Sequence, residues 1–435
     1  MKKKNYLLGA LATGMLLFTS CSNEESIATG NGDENAAQAF VLQVASSGDG
    51  MTRAGRPMLG SEPKQDIQTV KLIICSGNDV KYVKEVTDWN SNSTLYQGGA
   101  HGRQTTVEIP TAKKLEAGTY IVYAFGYSSN SDYDLTAITG LTDGATTGIF
   151  AKNTVLSFKQ DATNKVGEEL FAGSFALTVE AGKGFKEPIV LNRQVAGTFG
   201  YVNEIPYIAD AATLRLVASD KNKELVLGSF NSFDLTGNGT GNDGHINYVI
   251  NGKTSDDDTK VIYSIALTDW FTTVQDTDGD GIIDGGDNWK VPAAYTGKYF
   301  KKGSVFAGEF LIPFAKTATQ TFKLELVKAD GTSVLRSWNV NLPTADGQLT
   351  EYSLVKWGTD DFAAPAKITD TKNVYSVVRN HLYGIGTRTL DNPPTTPEKP
   401  DPDPDVDKPE SLNNKQELTL RVNDNWEVIH SMDLE

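Results

Sequence analysis

Short runs of β-branched and aromatic residues recur along the chain, separated by clusters of Gly, Asn, Asp and Ser. Sustained 3.6-residue hydrophobic periodicity is almost absent beyond the first residues. Residues 322–342 are typical, because apolar and charged residues alternate on both sides of a turn at Asp330-Gly331. Sequential turns rather than helices join these runs, so the pattern predicts an all-β protein and argues against a parallel α/β core.

The number of predicted strands exceeds what one small sheet can hold. The chain has 435 residues, so we expect two tandem β-sandwich domains, at residues 54–190 and 191–389, with the boundary near Val190. The formal net charge of -15 disfavours binding to phosphate backbones, so no nucleic-acid partner is expected. Cys21 and Cys75 are the two cysteines, too few for a disulfide framework or a cysteine-based zinc site.

The first residues predict export. Three lysines precede an apolar stretch from Tyr6 to Phe18 that is too short to span a bilayer. The stretch ends at Cys21 in a sequence that resembles a bacterial lipobox, so residues 1–21 are predicted to be a lipoprotein signal peptide with Cys21 as the lipidated (palmitate-bearing) residue. A simple cleaved signal with an incidental cysteine is the alternative. Asn23-Glu24-Glu25 resembles the tract that sends Bacteroidetes lipoproteins to the outer face of the outer membrane.

Residues 22–53 are interpreted as a propeptide that carries a removable first strand. Phe40, Leu42 and Val44 share one face of this strand, and a Gly/Ser-rich loop follows it. The loop contains Arg53-Ala54, which a trypsin-like protease could cut. Cleavage there would free the lipid anchor and the first strand together, and would open a sheet edge that an extended strand from a neighbour could fill.

Residues 390–416 are Pro- and Asp-rich, which predicts an extended spacer that cannot enter a sheet. The segment after it, residues 417–435, shows nearly uninterrupted period-2 alternation and is interpreted as a donor strand for a neighbouring copy. A head-to-tail contact of this kind generates a filament. The alternative is an edge strand that folds back onto the chain's own second domain. The predicted donor side chains are Leu418, Leu420, Val422, Trp426, Val428, Met432 and Leu434.

Residues 276–287 match the spacing of a twelve-residue calcium loop, with carboxylates at positions 1, 3, 5, 9 and 12 and Gly at position 6. No cofactor is expected to be required, but this loop predicts a structural Ca²⁺ ion. A solvated acidic turn is the alternative, because the usual Glu at position 12 is replaced by Asp. The predicted ligands are Asp276, Asp278, Asp280, the carbonyl of Ile282, Asp284 and Asp287.

Several further short motifs occur in a fixed order along the chain. They are the lipobox at Cys21, Arg53-Ala54, Leu115 to Tyr120 with Tyr123-Ala124, Leu191 to Ala196, Val378 to Tyr383, and Asn425-Trp426. In this order they resemble the shaft subunits of Bacteroidales type V fimbriae, the family of FimA-type fimbrillins and the Porphyromonas minor-fimbrium subunits.

The resemblance implies two transthyretin-like β-sandwich domains, lipoprotein export, cleavage after an arginine and donor-strand assembly. It also implies partners: identical subunits in a head-to-tail polymer, anchor and tip fimbrial subunits, and host or bacterial surface receptors. The lipid-anchored precursor would lie at the outer membrane surface and the mature form in an extracellular fimbrium.

Catalytic motifs are poor: neither Gly-x-Ser-x-Gly nor His-Glu-x-x-His occurs. The sequence therefore predicts a non-enzymatic structural subunit that supports adhesion. The alternative from another class is a monomeric surface glycan-binding lipoprotein, which would use exposed Trp or Tyr platforms and keep both terminal strands in its own sheets. A glycoside hydrolase is the third interpretation.

Overall fold

A computed structural model describes residues 37–45, 67–95, 102–145, 154–160, 167–219, 221–227, 252–255, 261–296, 298–313, 322–341, 352–354, 366–368, 377, 382–388, 407–413, 417–419 and 421–423. Within these ranges the chain is built almost entirely from β-strands, so the all-β prediction is confirmed. The described helices are single turns, α1 (Trp89–Asn92), α2 (Thr136–Thr139) and α3 (Leu267–Trp270), with 3-10 turns at Thr111–Lys113 and Ala293–Tyr295. None of the helices in the described ranges is long and apolar enough to cross a bilayer.

The strands of the N-terminal region are β1 (Gln38–Ala45), β2 (Thr69–Ser76), β3 (Asp79–Val86), β4 (Thr94–Leu95), β5 (Gly102–Glu108), β6 (Gly118–Tyr127), β7 (Thr154–Ser157), β8 (Phe171–Val179) and β9 (Phe185–Arg193). Eight of them form one path in the order β3-β2-β6-β8-β9-β1-β5-β4. The link between β8 and β9 is short, with Phe171 opposite Arg193 and Ala172 opposite Asn192.

The path folds at this short link into two four-stranded halves that face each other as a sandwich. Their core combines residues of β1, β5 and β9 with residues of β2, β3, β6 and β8. Alternation along β6 places Tyr120, Val122 and Ala124 in this core, whereas Phe125 packs into the neighbouring hydrophobic cluster. Both faces of β6 are therefore covered in its second half, whereas Ile121 on the outer face of the first half is 42% exposed.

The remaining strands are β10 (Ala196–Asn203), β11 (Ile205–Pro206), β12 (Ala211–Ala218), β13 (Asn222–Leu227), β14 (Gly252–Ser255), β15 (Val261–Ala266), β16 (Ile282–Ile283), β17 (Val305–Leu311), β18 (Phe322–Lys328), β19 (Val334–Asn341), β20 (Tyr352–Leu354), β21 (Ala366–Ile368), β22 (Leu382–Ile385), β23 (Thr387–Arg388), β24 (Asp407–Lys408), β25 (Glu410–Ser411), β26 (Glu417–Thr419) and β27 (Arg421–Asn423).

Two five-stranded sheets form the second sandwich. One has the order β17-β10-β22-β27 with β25 also on β10, and the other has the order β15-β12-β18-β19-β26. The predicted hairpin is β18–β19, where Leu324 lies opposite Trp338. Both side chains are fully buried in the cluster that fills the space between the two sheets.

The chain passes from the first sandwich to the second shortly after Val190, near which the sequence predicts the boundary. Val190 lies inside β9, opposite Gln43 of β1, and the second sandwich begins with β10 at Ala196. The two regions are also joined by a small sheet, because β7 of the first pairs antiparallel with β13 of the second. The two sandwiches are therefore packed together through a shared cluster rather than strung on a linker.

The prediction that the whole Pro- and Asp-rich segment stays outside any sheet is wrong for its last part. Within 407–413, β24 pairs antiparallel with β23 and β25 pairs parallel with β10. Pro409 lies between these two short ladders, so its missing N–H removes no ladder hydrogen bond. Leu412 follows and is fully buried, which supplies the apolar anchor that the composition of the segment conceals.

Candidate functional site

The first strand, β1, lies inside its sheet rather than at the edge. It pairs antiparallel with β5, where Phe40 faces Val107, and parallel with β9, where Phe40 faces Glu187. Both backbone edges of β1 are therefore engaged. Removing β1 would leave the facing edges of β5 and β9 unpaired across one gap, which is a template for an incoming strand.

The inward face of β1 supplies a large share of the first core. Phe40, Leu42 and Val44 are each fully buried. The Phe40 ring meets Phe185 and Phe175 edge to face, with ring centroids 5.1 and 6.1 Å apart. Burial of each such side chain stabilises the fold by about 1.5–3 kcal/mol. A gap left by β1 would thus be lined with apolar surface.

A polar side chain continues the same inward face. The Gln38 amide donates from Nε2 to the Leu115 carbonyl at 3.0 Å and accepts from the Leu115 N–H at 2.6 Å. The Gln38 side chain is 4% exposed. Its amide therefore acts as an additional rung between β1 and the loop before β6.

The proposed cleavage site follows β1 along the chain. Cys21, Arg53 and Ala54 lie outside the described residues. Their order in the sequence still fixes one consequence: hydrolysis of the Arg53–Ala54 bond separates β1, which ends at Ala45, from β2, which begins at Thr69. After such a cut, only non-covalent contacts would retain β1.

The predicted donor segment is described in its first part only. Glu417–Thr419 pairs parallel with β19, and Arg421–Asn423 pairs antiparallel with β22, where Val422 faces Tyr383. Leu418 is 2% exposed. It belongs to the cluster that fills the space between the two sheets of the second sandwich, called the second core below. This part therefore folds back onto its own domain, as in the alternative interpretation. Leu420, Trp426, Val428, Met432 and Leu434 lie outside the described residues.

The predicted calcium loop follows α3 and is closed by a pair of short strands. Ile283 of β16 faces Ile205 of β11, and Ile283 is fully buried. Gly279 and Gly281 have φ values of 83° and 88°, a left-handed conformation that glycine adopts without steric cost. The two glycines bend the acidic stretch back on itself, while the aliphatic pair ties it to the second sandwich.

Three of the predicted ligands converge. One carboxylate oxygen from each of Asp276, Asp278 and Asp287 lies within 4.8 Å of the others. Oxygens that share one Ca²⁺ ion at about 2.4 Å can be at most about 4.8 Å apart, so this spacing fits a single hard cation. Asp280 and Asp284 are not part of this group. Their Oδ1 atoms accept the backbone N–H groups of Ile282 and Gly286 at 2.9 and 2.6 Å.

Two of the converging carboxylates are fixed by hydrogen bonds. Asp276 accepts the N–H groups of Gly279 and Gly281 at 2.6 and 2.8 Å. The fully buried Asp287 accepts the N–H and hydroxyl of Thr277 on one oxygen and the N–H of Asp284 on the other. These bonds fix the orientation of the two carboxylates. They would equally stabilise the alternative, a solvated acidic turn that holds no ion.

The pKa values of Asp278 and Asp287 shift in opposite directions. Partial desolvation, followed by the nearby charges of Asp280, Asp287 and Asp276, raises the pKa of Asp278. For Asp287, burial would raise the pKa, but the hydrogen bonds from Thr277 and Asp284 outweigh it and the pKa is lowered. Repulsion at Asp278 is what a bound cation would relieve.

Two polar contacts that organise the first sandwich were not predicted from the sequence. One is the Gln38–Leu115 pair, although Gln38 has the same parity as Phe40 and Leu42, which places it on the inward face. The other joins Arg193, at the end of β9, to Glu169: Nε and Nη2 donate to Oε1 at 3.0 and 2.8 Å, and both side chains are 1% exposed. No periodicity signals a pair of this kind.

Exposed aromatic platforms, which the glycan-binding alternative needs, are scarce. Within the described part of the chain, Tyr207 is the single exposed large aromatic side chain, at 39%. Trp89, Trp270 and Trp338 are buried, and Trp289 donates its indole N–H to the Ser304 carbonyl at 2.7 Å. The described surface therefore offers no pair of stacked aromatic rings to a sugar.

Comparison with known proteins finds structural neighbours. No protein-family model matches the chain, and no curated protein matches it either. A fimbrilin from Porphyromonas gingivalis W83 is 14% identical, with 89% of this chain and 97% of that chain covered and a TM-score of 0.36.

Two further neighbours are similar at the same level. The fimbrial anchor protein Mfa2 from Porphyromonas gingivalis is 10% identical over 69% of this chain and 82% of its own, with a TM-score of 0.32. A fimbrial assembly protein from Parabacteroides distasonis is 9% identical over 80% of this chain and 90% of its own, with a TM-score of 0.31. These similarities assign no residue of this chain a role.

Proposed function

We propose that the chain is a non-enzymatic structural subunit of a cell-surface fimbria that polymerises by donor-strand exchange. The observation that carries the proposal is the internal position of β1 between β5 and β9, with its apolar face in the first core. A chain that loses such a strand after a cut at Arg53-Ala54 exposes a groove of defined length and apolar lining. An extended strand from another copy has the chemistry to refill it.

In this proposal the precursor is exported as a lipoprotein through Cys21 and lies at the outer membrane surface. Cleavage after Arg53 releases the anchor together with β1. Identical subunits then join head to tail through residues of the C-terminal tail, and anchor and tip subunits terminate the polymer. The resulting extracellular fimbria supports adhesion to host or bacterial surfaces.

Limited proteolysis tests the proposal. The signal-free precursor is digested with an Arg-specific protease, the new N-terminus is identified by mass spectrometry, and the products are separated on a partly denaturing gel. We expect a new N-terminus at Ala54 and a ladder of multimers that grows with protein concentration. Cleavage at this bond that yields only stable monomer would refute strand exchange and favour the glycan-binding alternative.

A matched pair of variants sharpens the test. Arg53→Ala removes the proposed site, whereas Arg56→Ala removes a neighbouring arginine that Pro57 makes a poorer site. We expect Arg53→Ala to abolish both the new N-terminus and the ladder, and Arg56→Ala to leave both unchanged. Normal multimers from Arg53→Ala would reject the proposed cleavage site.

We also propose that residues 276–287 bind a structural calcium ion. The twelve-residue spacing and the convergence of Asp276, Asp278 and Asp287 support this role. Calcium should raise the thermal unfolding temperature of the chain, and Asp278→Asn should remove that rise. Asp330→Asn is the control, because Asp330 lies in a hairpin turn outside the loop. An equal calcium effect in all three proteins would place the ion elsewhere.

A further inference from the structure

The last described residues cross both sheets of the second sandwich. After the Pro-rich stretch, β24 pairs with β23 and β25 pairs with β10. The chain then adds β26 to the edge of the opposite sheet beside β19, and β27 to the first sheet beside β22. Residues 407–423 thus contribute strands to both sheets that enclose the second core.

Two leucines fix this segment from inside. Leu412 is fully buried and Leu418 is 2% exposed, and both belong to the second core. The Leu412 N–H donates to the Asn203 carbonyl at 3.0 Å, and Ser411 donates its hydroxyl to Glu204. Hydrogen bonds and apolar burial therefore both hold residues 411 and 412, and apolar burial holds Leu418 in β26.

β23, the strand that pairs with β24, is itself held in place by contacts with the second sandwich. Arg388 of β23 is 2% exposed, and its guanidinium lies 3.9 Å from the centroid of the Phe300 ring. Gly386, just before β23, has a φ of 78°, and a Cβ there would lie 2.3 Å from the Tyr201 carbonyl oxygen and 3.0 Å from that of Lys408. The chain around residue 408 is therefore seated directly on the backbone of the sandwich.

We propose that the C-terminal tail divides at Asn423: residues 407–423 complete the subunit's own second sandwich and stay there, and only residues 424–435 enter the groove of another copy. This inference rests on the proposed function, and it narrows the donor segment from the one that the sequence predicts. Leu418 is then a core residue of its own subunit rather than a donated side chain.

The lengths are consistent with this division. β1 has 8 residues and, at about 3.3 Å per residue, spans roughly 26 Å. Residues 424–435 could extend roughly 40 Å at the same rise, enough for one strand of that length and a short connection. Their apolar residues, Trp426, Val428, Met432 and Leu434, are two or four positions apart, as the inward face of β1 requires.

A disulfide lock tests the division without removing any residue. Val340 of β19 and Leu418 of β26 are partners in a parallel ladder, so Val340→Cys combined with Leu418→Cys places two thiols on adjacent strands. Cys75 is buried on a different strand and does not compete. The double variant is cleaved with the Arg-specific protease, and its multimers are compared in the oxidised and the reduced state.

We expect the oxidised protein, with the lock verified by mass spectrometry, to give the same ladder as the reduced protein. A ladder that forms only after reduction would overturn the division, because β26 would then have to leave its domain for assembly. Failure of both states, together with failure of the parent chain, would reject the proposed function instead.

Truncated chains test whether residues 407–423 stabilise their own domain, even if no multimers form. A chain that ends at Asn423 should keep the thermal unfolding temperature of the parent and form no ladder. A chain that ends at Gln416 should unfold at least about 5 °C lower, since it loses Leu418 and two ladders. Equal unfolding temperatures for the two truncations, or a normal ladder from the chain that ends at Asn423, would overturn the division.

Discussion

The side-chain amide of Gln38 forms two hydrogen bonds with the backbone of Leu115, donating to its carbonyl and accepting from its N–H. A side chain on β1 thus satisfies both backbone groups of a residue in the loop before β6. If β1 were released, as we propose, these two groups would lose their partners together with the core contacts of Phe40.

Replacing Gln38 by Leu should therefore weaken the attachment of β1 to the rest of the sandwich, although leucine is apolar and the position is buried. The variant leaves the Leu115 N–H and carbonyl without the amide, and a buried unsatisfied group costs about 1–3 kcal/mol. We expect a loss of that order in the free energy of unfolding of the precursor, measured by denaturant titration, and faster release of the N-terminal fragment after cleavage.

Gln43→Leu is the matched control for Gln38→Leu. Gln43 lies on the opposite face of the same strand and donates to the Gln104 side-chain carbonyl at 3.1 Å in a partly exposed position. Water can replace that partner, so the control should lose much less stability. Equal losses in the two variants would show that the Leu115 contacts do not hold the strand.

The ion pair of Arg193 and Glu169 should dominate the stability of the corner between β8 and β9. Arg193→Met leaves the buried Glu169 carboxylate without its guanidinium. It also removes the contact of that guanidinium with the Phe171 ring, whose centroid lies 4.8 Å away. Breaking a buried pair in this way costs about 3–5 kcal/mol. Chemical denaturation of the precursor measures the loss.

Two comparisons separate the buried charge from other causes. Lys328→Met breaks the exposed pair with Asp210 and should cost no more than about 1 kcal/mol. Adding Glu169→Leu to Arg193→Met removes the buried carboxylate that has lost its guanidinium and should recover much of the lost stability. A double variant as unstable as the single one would mean that packing, rather than charge, explains the loss.

Alternation gave the parts of the fold that depend on one strand at a time. The hairpin around Asp330-Gly331 and the buried face of Phe40, Leu42 and Val44 follow from period-2 patterning, because every second side chain must point the same way. Neighbour relations between distant strands did not follow. Nothing local indicates that β1 lies between β5 and β9, or that Arg193 meets Glu169.

Composition was misleading where single anchors outweigh the average. The segment up to residue 416 is Pro- and Asp-rich, yet Leu412 is fully buried. In the acidic loop the spacing predicts five carboxylate ligands, of which Asp276, Asp278 and Asp287 converge. Asp280 and Asp284 lie outside that group and accept backbone N–H groups. Short acidic side chains next to glycines compete for nearby amides, a local choice that a spacing rule does not contain.

Cys75 should report whether cleavage opens the groove or unfolds the first sandwich. The side chain is 2% exposed, and burial raises the pKa of its thiol to about 11. At pH 8 roughly one thiol in a thousand is then ionised. Cys75 belongs to the second core, which the two sandwiches share, and not to the core that β1 completes. Alkylation at pH 8 should therefore be slow both before and after cleavage at Arg53.

The pH dependence of this labelling has a definite sign. The labelling rate should rise about tenfold per unit between pH 8 and 10, with no plateau at the ordinary thiol value. Because the pKa is raised in the folded state, the thiol's contribution to stability is present below about pH 9 and is lost as the pH rises toward 11. Rapid alkylation after cleavage, read by mass spectrometry, would mean that the sandwich unfolds when β1 leaves.

Gly386 and Gly331 form a matched pair for the close approach that seats the C-terminal segment. Both have positive φ values, 78° and 69°, but a Cβ at Gly331 would meet nothing within 4 Å, whereas one at Gly386 would meet the Tyr201 carbonyl oxygen at 2.3 Å. Gly331→Ala should cost about 1–2 kcal/mol from backbone conformation alone. Gly386→Ala should cost clearly more, because the backbone of β10 or of residues 408–410 must move.

Denaturant unfolding measures the two losses, and hydrogen exchange should show faster exchange at the Leu412 amide in Gly386→Ala alone. Similar losses and unchanged exchange in both variants would show that the segment is not held by this contact.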